Sequence, residues 1–451
     1  MTSYYQDTIS AISTAFGKGA ISIIRLSGKD SIEIANTFFS KNLSNLESNT
    51  LHFGKILDEE KNIIDTVMLS VLRGPNTYTG EDIIEINAHG GILITRKVFE
   101  RVLKAGARQA KPGEFTLRAF LNKKIDLTQA EAIEELISAN NEASLKAAKK
   151  NLEGALFQEI KNFQKELIDI AGILEAWVDF PEEDLEFKSF QDLENDIDQV
   201  LNKMQNLSQT YNDGKIIKEG LTLAIIGPPN VGKSSLLNTL LKKDRAIVTN
   251  IAGTTRDVLE EFITIRNLSY KIVDTAGIRK TNALIEKEGI ARSKKVLKEA
   301  DINILVLDST KQINEEEKKL LKLLKNKKFI IAWNKIDLSK PLKEIKHDYI
   351  VEISAKQKIN IEKLKDLIES ISLNNPNIFE EDLLLTNQRH KNALDKAILH
   401  LKHVRENLQK ISAEFLSFDM RLCLNSLNDI IGFDITEDIL SSIFKNFCIG
   451  K

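Results

Sequence analysis

The stretch GPPNVGKSS, residues 227–235, decides the fold of the central part of this chain. It follows the apolar run LAII and precedes SSLLNTLL, so it joins a predicted buried strand to a predicted helix. Its glycines permit a tight turn and a close approach of the backbone to a ligand. Backbone N–H groups at such a helix start bind phosphate. The pattern therefore predicts a phosphate-binding loop, in which Lys233 reaches the β- and γ-phosphates and Ser234 ligates Mg²⁺.

Strand and helix patterns alternate around this loop, from about residue 217 to 377. Helical stretches such as EEEKKLLKLL separate apolar runs that are typical of buried parallel strands. This alternation predicts a doubly wound α/β sheet. The five predicted strands are TLAIIG (222–227), YKIVDT (270–275), INILVLD (302–308), KFIIAWN (328–334) and DYIVEIS (348–354).

The flanking segments have two other patterns. Residues 1–120 alternate short β-branched runs with turns, which predicts an α/β or α+β unit. Residues 121–216 and 378–451 carry apolar residues at three- and four-residue intervals, which predicts amphipathic helices. Helical segments on both sides of the α/β part predict one helical domain into which that part is inserted. The N-terminal strands are predicted at ISIIRLS (21–27), LHFGKIL (51–57), IIDTVMLSVL (63–72) and IIEINA (83–88).

Size and composition are those of a large globular protein. The chain has 451 residues, enough for about three domains. Its 63 basic and 65 acidic residues nearly balance, which argues against a protein that holds nucleic acid by a strongly basic surface alone. Two cysteines give no disulfide framework. The sequence shows neither a secretory signal nor an apolar run of about 20 residues, so a cytoplasmic protein without a membrane span is expected.

Two switch motifs follow the phosphate loop in order. GTTRD (253–257) lies where a switch loop belongs, and the Thr255 hydroxyl is expected to complete the Mg²⁺ shell. DTAG (274–277) ends a predicted strand, where Asp274 is expected to hold a Mg²⁺-bound water and Gly277 to face the γ-phosphate. Their order after the loop predicts a nucleotide-hydrolysing switch protein.

Two later motifs predict the base. In NKID (334–337) the Asp337 carboxylate can accept from the ring N–H and the exocyclic amine of guanine, a donor pair that adenine lacks. Asn334 and Lys335 are expected to brace the site, and Ala355 in SAK is expected to donate its N–H to the guanine oxygen. The predicted ligand is therefore GTP or GDP. Its predicted contacts are Asn230, Val231, Gly232, Lys233, Ser234, Ser235, Thr249, Asn250, Ile251, Ala252, Gly253, Thr254, Thr255, Asp274, Thr275, Ala276, Gly277, Asn334, Lys335, Asp337, Ser354, Ala355 and Lys356.

Ile278 follows DTAG at the place where Ras-like proteins carry a water-orienting Gln. An isoleucine can neither donate nor accept a hydrogen bond, so water must be positioned in another way. The Asn230 side-chain carbonyl can coordinate a monovalent cation beside the phosphates, with backbone carbonyls of residues 248–255 closing over it; its spacing fits a simple turn residue equally well. Glu286 can orient water, although from the sequence alone it is a surface residue near a helix start.

The chain resembles the MnmE (TrmE) family of bacterial and organellar tRNA-modification GTPases over essentially its whole length. The motifs that carry the resemblance outside the nucleotide site are SIIRLSG (22–28), YTGED (78–82), IIEINAHGG (83–91), KPGEFTLRAFLNKKIDLTQAEA (111–132), DFPEED (179–184) and FCIGK (447–451). The resemblance implies a tetrahydrofolate-binding and dimerisation domain at 1–120, a helical domain at 121–216 and 378–451, and a G domain at 217–377.

The resemblance also implies the ligands of two cations and the catalytic residues. Potassium takes the place of an arginine finger, and a hydrophobic residue at position 278 is then no defect. The implied potassium ligands are Asn230, Thr249, Ile251 and Thr254; the implied Mg²⁺ ligands are Ser234 and Thr255; the implied catalytic residues are Glu286, which positions water, and Lys233.

The family further implies a homodimer that forms a heterotetramer with an FAD-dependent partner, MnmG (GidA), and modifies C5 of the wobble uridine in tRNA with an aminomethyl-type group, carboxymethylaminomethyl among them. A one-carbon form of tetrahydrofolate, such as 5-formyl-tetrahydrofolate, supplies the methylene carbon. Arg25, Glu85, Lys124 and Lys451 match folate-contacting positions. From the residues alone, Arg25 reads as a strand-end surface residue and Glu85 as solvent-facing. Cys448 is either a catalytic thiol or a buried apolar contact.

Two other functions fit parts of the pattern. A ribosome-assembly GTPase would share the G domain but needs an RNA-binding C-terminal module, which the helical tail does not resemble. A non-catalytic scaffold would bind GTP and show slow turnover that potassium does not change.

Overall fold

The computed structural model describes residues 7–179, 188–244, 261–273, 300–342, 345–375, 378–380, 383–433, 436–445 and 447–450. The chain forms two compact units. Unit 1 comprises residues 1–134, 151–162 and 425–451, and unit 2 comprises residues 135–150 and 163–424. These units group the chain differently from the four predicted segments, whose boundaries remain predictions.

The strands are numbered along the chain as β1 (Ile9–Ile12), β2 (Ile21–Ser27), β3 (Thr50–Leu57), β4 (Ile63–Leu72), β5 (Ile83–His89), β6 (Arg108–Gln109), β7 (Leu221–Ile226), β8 (Glu261–Ile265), β9 (Leu268–Val273), β10 (Ile302–Asp308), β11 (Lys328–Asn334) and β12 (Ile350–Glu352). The helices are α1 (Ser31–Asn36), α2 (Ile92–Lys104), α3 (Glu114–Leu121), α4 (Leu127–Ser138), α5 (Glu142–Leu152), α6 (Ala155–Asp179), α7 (Phe190–Gln209), α8 (Tyr211–Glu219), α9 (Lys233–Asp244), α10 (Glu315–Leu324), α11 (Ile361–Ser372), α12 (Gln388–Asn407), α13 (Ala413–Ile431) and α14 (Glu437–Phe444). A short 3₁₀ helix spans Ile378–Glu380.

Unit 1 is built on a six-stranded sheet of order β3-β4-β5-β2-β1-β6, in which only the β1–β6 pair is parallel. The four strands predicted between residues 21 and 88 are confirmed. Alternate side chains point to opposite faces of a strand. Ile24 and Ile86 therefore enter a core that includes Val98 and Val102 of α2, whereas Arg25 and Glu85 face the other side. Strands β1 and β6 are too short for their sequence pattern to predict.

The α/β part of unit 2 is a six-stranded sheet of order β12-β11-β10-β7-β9-β8. Five strands are parallel, and β8 is an antiparallel edge. The sheet is covered on both faces: one core contains Leu236 and Leu364, from α9 and α11, and the other contains Leu324, from α10. The five predicted strands and the doubly wound class are confirmed, whereas β8 was not predicted.

The helical segments before and after this sheet pack together. Arg405 of α12 donates from Nε to Asp198 of α7 at 2.9 Å, and Ser208 of α7 donates to Asp395 of α12 at 2.7 Å. These contacts join residues that lie some two hundred positions apart in sequence. They confirm that the α/β part is inserted into a helical domain.

The chain enters and leaves the α/β part at one place. The buried carboxylate of Asp213, in α8, accepts from the N–H of Asn374 at 2.9 Å and from that of Asn375 at 3.0 Å. The next residue, Gly214, lies so close to the returning chain that a Cβ there would be 2.2 Å from the carbonyl oxygen of Leu385. The two ends of the inserted part are thus held together.

Candidate functional site

The phosphate-binding loop follows β7, and its glycines permit close packing. A Cβ on Gly227, at φ +146°, would lie 2.4 Å from the carbonyl oxygen of Val306. A Cβ on Gly232, at φ +102°, would lie 2.2 Å from Nδ2 of Asn334. Asn230 has φ +62°, a left-handed conformation that asparagine tolerates better than most residues. The geometry supports its role as a turn residue, and its cation role remains a prediction.

Lys233 begins α9, and its side chain folds back over the loop. Its Nζ donates to the carbonyl oxygens of Gly227 at 2.8 Å and of Pro228 at 2.6 Å. Burial lowers the pKa of the Lys233 ammonium, and the negative charge of Glu316 partly opposes this. The ammonium therefore exchanges carbonyl partners for phosphate oxygens when it acts as predicted.

Asn334 joins the three loops of the predicted nucleotide site. It ends β11, is 3% exposed, and donates from Nδ2 to the carbonyl oxygen of Val231 at 2.8 Å. Its Oδ1 accepts from the N–H of Ala355 at 2.9 Å. The strands that end at these loops are parallel, so their carboxyl ends meet at one edge of the sheet, where ligands bind in such folds. The bracing role predicted for Asn334 agrees with this geometry.

Lys335 pairs with a residue that the sequence analysis missed. Its Nζ donates to Oδ2 of Asp308 at 2.6 Å. Asp308 is the last residue of β10, and its carboxylate is almost fully buried. Burial raises the pKa of this carboxyl, but the hydrogen bonds from Lys335 and Thr310 outweigh burial and leave the pKa below its usual range. The sequence signal that could have identified Asp308 is an acidic residue at the end of an otherwise apolar strand.

The loop with Ala355 is held by two hydrogen bonds. The predicted guanine donor, the Ala355 N–H, already donates to Asn334, and the Ala355 carbonyl accepts from Thr239 Oγ1 at 3.0 Å. Ala355 therefore braces the site, and the predicted bond from its N–H to the guanine oxygen remains a prediction. The N–H of the neighbouring exposed Lys356 has no acceptor among the described residues. Asp337 is exposed, and no described side chain pairs with its carboxylate.

Much of the predicted catalytic machinery lies outside the described residues. The two switch segments, Ile278 and the water-positioning candidate Glu286 fall there, and their roles remain predictions. Of the predicted cation ligands, only Ser234 and Asn230 are described. The predicted contacts that fall outside are Thr249, Asn250, Ile251, Ala252, Gly253, Thr254, Thr255, Asp274, Thr275, Ala276 and Gly277.

A second predicted site lies in unit 1, on the sheet face opposite the core that contains Val98 and Val102. Arg25 and Glu85 are opposite each other in β2 and β5, and Nε and Nη2 of the arginine both lie 2.8 Å from Oε1 of the glutamate. The guanidinium lies 5.8 Å from the Phe115 ring centroid, and its Nη1 donates to the carbonyl oxygen of Gly450 at 3.4 Å. The two side chains are only 20% and 24% exposed, so neither is the plain surface residue that the sequence alone suggested.

Lys124 is not in contact with that pair. Its Nζ donates to the carbonyl oxygen of Pro75 at 2.9 Å, and its stem lies beside Gly80. The structure therefore brings two of the four predicted folate residues together. Lys451 lies outside the described residues.

The C-terminal tail packs against unit 1. The Gly113 N–H donates to the carbonyl oxygen of Cys448 at 3.3 Å, and a Cβ on Gly113 would lie 2.9 Å from Cβ of Phe447. The Cys448 side chain is exposed, so its alternative role as a buried apolar contact is wrong. The catalytic role remains a prediction. Cys423 is buried in α13, and burial raises the pKa of its thiol to about 12.

A buried charge network supports the same face, and the sequence analysis assigned it no role. Arg118, 1% exposed, donates to Asp7 Oδ1 at 2.8 Å, to Glu81 Oε1 at 3.1 Å and to Glu114 Oε1 at 3.1 Å. Glu81 also accepts from the Ser27 hydroxyl at 2.6 Å. Three of the motifs that carry the family resemblance thus meet around one arginine. We name this set of side chains the Arg118 network.

The described residues offer neither a membrane span nor a metal cluster. No helix there is long and apolar enough to span a membrane. No group of three or more His, Cys, Asp or Glu side chains there is arranged to hold a metal ion.

Two family models match the chain. The model described as the MnmE helical domain matches residues 127–448, and the model described as the GTP-binding protein TrmE N-terminus matches residues 8–124.

Relatives match over nearly the whole length. The tRNA modification GTPase MnmE of Protochlamydia amoebophila (strain UWE25) is 48% identical over 450 residues, which cover 99% of this chain and 98% of that protein. The protein of the same description from Thermoanaerobacter pseudethanolicus (strain ATCC 33223 / 39E) is 42% identical over 457 residues and covers 99% of both chains. Among solved structures, the G domain of the T. maritima FeoB iron transporter is 29% identical, covers 34% of this chain and 99% of that one, and has a TM-score of 0.25.

Proposed function

Because this chain belongs to the family of the tRNA modification GTPase MnmE, we propose that it hydrolyses GTP as part of tRNA modification. The observation that carries the nucleotide half is the pair of hydrogen bonds by which Asn334 joins the phosphate loop to the loop of Ala355. The family matches outside the α/β part support tRNA modification over ribosome assembly.

Different described residues bind the phosphates and the base of the nucleotide. Backbone N–H groups of the phosphate loop and the Lys233 ammonium bind phosphate oxygens and offset the charge that develops there during hydrolysis. The exposed Asp337 carboxylate accepts from guanine, because its own acceptors are not used by described side chains. Asn334 fixes the distance between these two ends of the nucleotide.

We propose Mg²⁺ and K⁺ as the cofactors of hydrolysis. Ser234, in the first turn of α9, and Asn230, in the loop, offer the hydroxyl and amide oxygens that such cations prefer. Bound cations would supply positive charge beside the phosphates. The remaining proposed ligands are Thr255 for Mg²⁺ and Thr249, Ile251 and Thr254 for K⁺.

Salt-dependent kinetics test the potassium proposal. The purified protein should hydrolyse GTP but not ATP, and should do so much faster in potassium than in sodium. Asn230→Ala should lose the potassium stimulation and keep GDP binding. Equal rates in both salts would remove the cation proposal and leave guanine binding standing.

We further propose that unit 1 binds a one-carbon tetrahydrofolate. The Arg25 guanidinium suits the folate carboxylates, and Glu85 can accept from the pterin ring. Because the two side chains pair with each other, a bound folate would share the arginine with Glu85. Calorimetry with 5-formyl-tetrahydrofolate should show binding that Arg25→Ala abolishes. Wild-type protein that binds no folate would refute this assignment.

The pathway proposal includes partners. We propose a homodimer that works with the FAD-dependent MnmG (GidA) in a heterotetramer and installs the C5 group on wobble uridines of tRNA. Cells without the gene should lack that group when their tRNA nucleosides are analysed by mass spectrometry. Unchanged nucleosides would contradict the pathway. Sedimentation of the purified proteins, separately and mixed, tests the assembly.

A further inference from the structure

The Asp308 carboxylate is fixed from both sides. Its Oδ1 accepts from the Thr310 N–H at 3.0 Å and from the Thr310 hydroxyl at 2.7 Å. Its Oδ2 accepts from Lys335 Nζ at 2.6 Å, and the side chain is 2% exposed. A carboxylate so far from water is retained when it is paired and hydrogen-bonded. Lys335 is therefore the charged group that stabilises the ionised Asp308 carboxylate.

Asp308 also occupies a particular place in the sheet. Strand β10 lies between β7, which leads to the phosphate loop, and β11, which leads to residues 334–337. The pairing puts Asp308 directly opposite Asn334. The Asp308 carboxylate thus lies between the phosphate loop and the base loop. Among the described residues it bonds neither to Asp337 nor to the backbone N–H groups of the phosphate loop.

Lys335 has an unfavourable backbone that needs support. Its φ is +70°, a region that residues with a Cβ adopt at an energetic cost. Its side chain is 31% exposed although the ammonium is bonded to Asp308, so part of the stem remains open to solvent. A side chain that is already held loses less rotamer freedom when a ligand covers it.

We propose that Asp308 is a positioning residue for guanine nucleotides, which holds the ammonium of Lys335 so that its stem is in place before the base binds. This inference rests on the proposed GTP-binding function of the same site. Asp308 touches no reacting atom, so it acts on affinity through Lys335 and leaves the hydrolysis step alone.

A double-mutant cycle tests the proposal. GDP dissociation constants, measured with a fluorescent methylanthraniloyl-GDP, are compared for wild type, Asp308→Asn, Lys335→Met and the double variant. Asp308→Asn should weaken GDP binding about tenfold, which is about 1.4 kcal/mol. The double variant should bind no more weakly than Lys335→Met, because the proposed effect of Asp308 passes through Lys335. An additional tenfold loss in the double variant, or unchanged affinity in Asp308→Asn, would overturn the proposal.

Two further readouts separate positioning from a general structural defect. The turnover number of Asp308→Asn at saturating GTP should stay within about twofold of wild type, because only binding is affected. The ratio of GDP to inosine diphosphate affinity should also stay unchanged, because Asp337, not Lys335, is proposed to read the exocyclic amine. A fall in turnover or a changed ratio would contradict a role through Lys335 alone.

Matched variants complete the design. Asp366→Asn removes an exposed partner of Arg266 in the α/β part of unit 2. Because neither residue belongs to the proposed nucleotide site, GDP affinity should stay unchanged. If Asp308→Asn does not fold, Thr310→Val removes the hydroxyl that fixes Asp308 and should weaken GDP about two- to threefold, again without effect in a Lys335→Met background. Wild-type protein that binds ADP as well as GDP would instead refute the proposed function itself.

Discussion

The nucleotide site of unit 2 and the Arg118 network of unit 1 each hold together segments that are distant in sequence, but by different kinds of contact. In unit 2 the main link is a neutral amide, Asn334, with one donor and one acceptor used. In unit 1 the link is a buried arginine among three carboxylates. The Asn334 link does not depend on ionisation, whereas the Arg118 link makes the stability of unit 1 depend on the charge of its carboxylates.

The largest expected effect breaks the ionic side of this comparison. Arg118→Met removes the buried cation shared by Glu81, Glu114 and Asp7, which should destabilise unit 1 by about 3–5 kcal/mol even though Glu114 and Asp7 keep Arg108 as a partner. Hydrogen exchange of unit 1 peptides should rise, while GDP binding persists. Both tryptophans, Trp177 and Trp333, belong to unit 2, so their fluorescence reports that unit separately.

A matched control for that change is Arg421→Met, which removes an exposed partner of Glu175 in unit 2. Such a pair contributes less than about 1 kcal/mol. If the tryptophan transition of Arg118→Met shifts as much as the exchange of unit 1, the network is not confined to unit 1 and the comparison fails.

The next effect breaks the neutral link. Asn334→Ala leaves the Val231 carbonyl and the Ala355 N–H unpaired, which should cost about 2–4 kcal/mol of stability and most of the GDP affinity. Asn303, on neighbouring β10, is equally buried, but neither amide atom has a partner among the described residues. Asn303→Leu should therefore stabilise unit 2 by about 1 kcal/mol in thermal unfolding. Equal losses in the two variants would show that burial, not bonding, matters.

A smaller effect comes from acid. Burial raises the pKa of Glu114, but hydrogen bonds from Arg108, the Lys111 N–H and Arg118 outweigh it, so the pKa lies below its usual 4.5. A lowered carboxyl pKa contributes stability that is complete above the unfolded-state value and is lost as pH falls through the folded-state value. Unit 1 should therefore weaken below about pH 4.5 in urea titrations followed by hydrogen exchange. Glu114→Gln should flatten this dependence; an unchanged slope would exclude Glu114 as its source.

The smallest effect sharpens the picture of the base loop. Thr239→Val removes the hydroxyl whose one proton is shared between the carbonyl oxygens of Ala355, at 3.0 Å, and Ser235, at 2.8 Å. One neutral hydrogen bond contributes about 0.5–1.5 kcal/mol, so GDP should bind about two- to tenfold more weakly. Direct titration with GDP measures this. Unchanged affinity would show that Asn334 alone holds Ala355 in place.

The fold of both sheets was largely predictable because its signals are local. Runs of apolar, β-branched residues lie at nine of the strands, from ISIIRLS in β2 to DYIVEIS around β12. Strands β1 and β6 span four and two residues, too few for a pattern. Strand β8, EFITI, lies at a sheet edge and carries the alternation of a half-buried strand, which the sequence analysis overlooked.

The two sites differ in how far the sequence predicts them. Asn334, Lys335 and Asp337 follow one another in a motif whose chemistry can be argued from the residues. The Arg25 surroundings are assembled from Glu85, Phe115 and Gly450, and no spacing rule brings such distant residues together. Only the family resemblance predicted that Arg25 and Glu85 belong to one site. Asp308 was missed because a single acidic residue at a strand end has many ordinary roles.

The two ends of the inserted α/β part meet at Asp213, so this part is connected to unit 2 as a replaceable module. Since residues 374 and 375 bond to the carboxylate of Asp213, a short glycine linker can replace everything between them without stretching the helices.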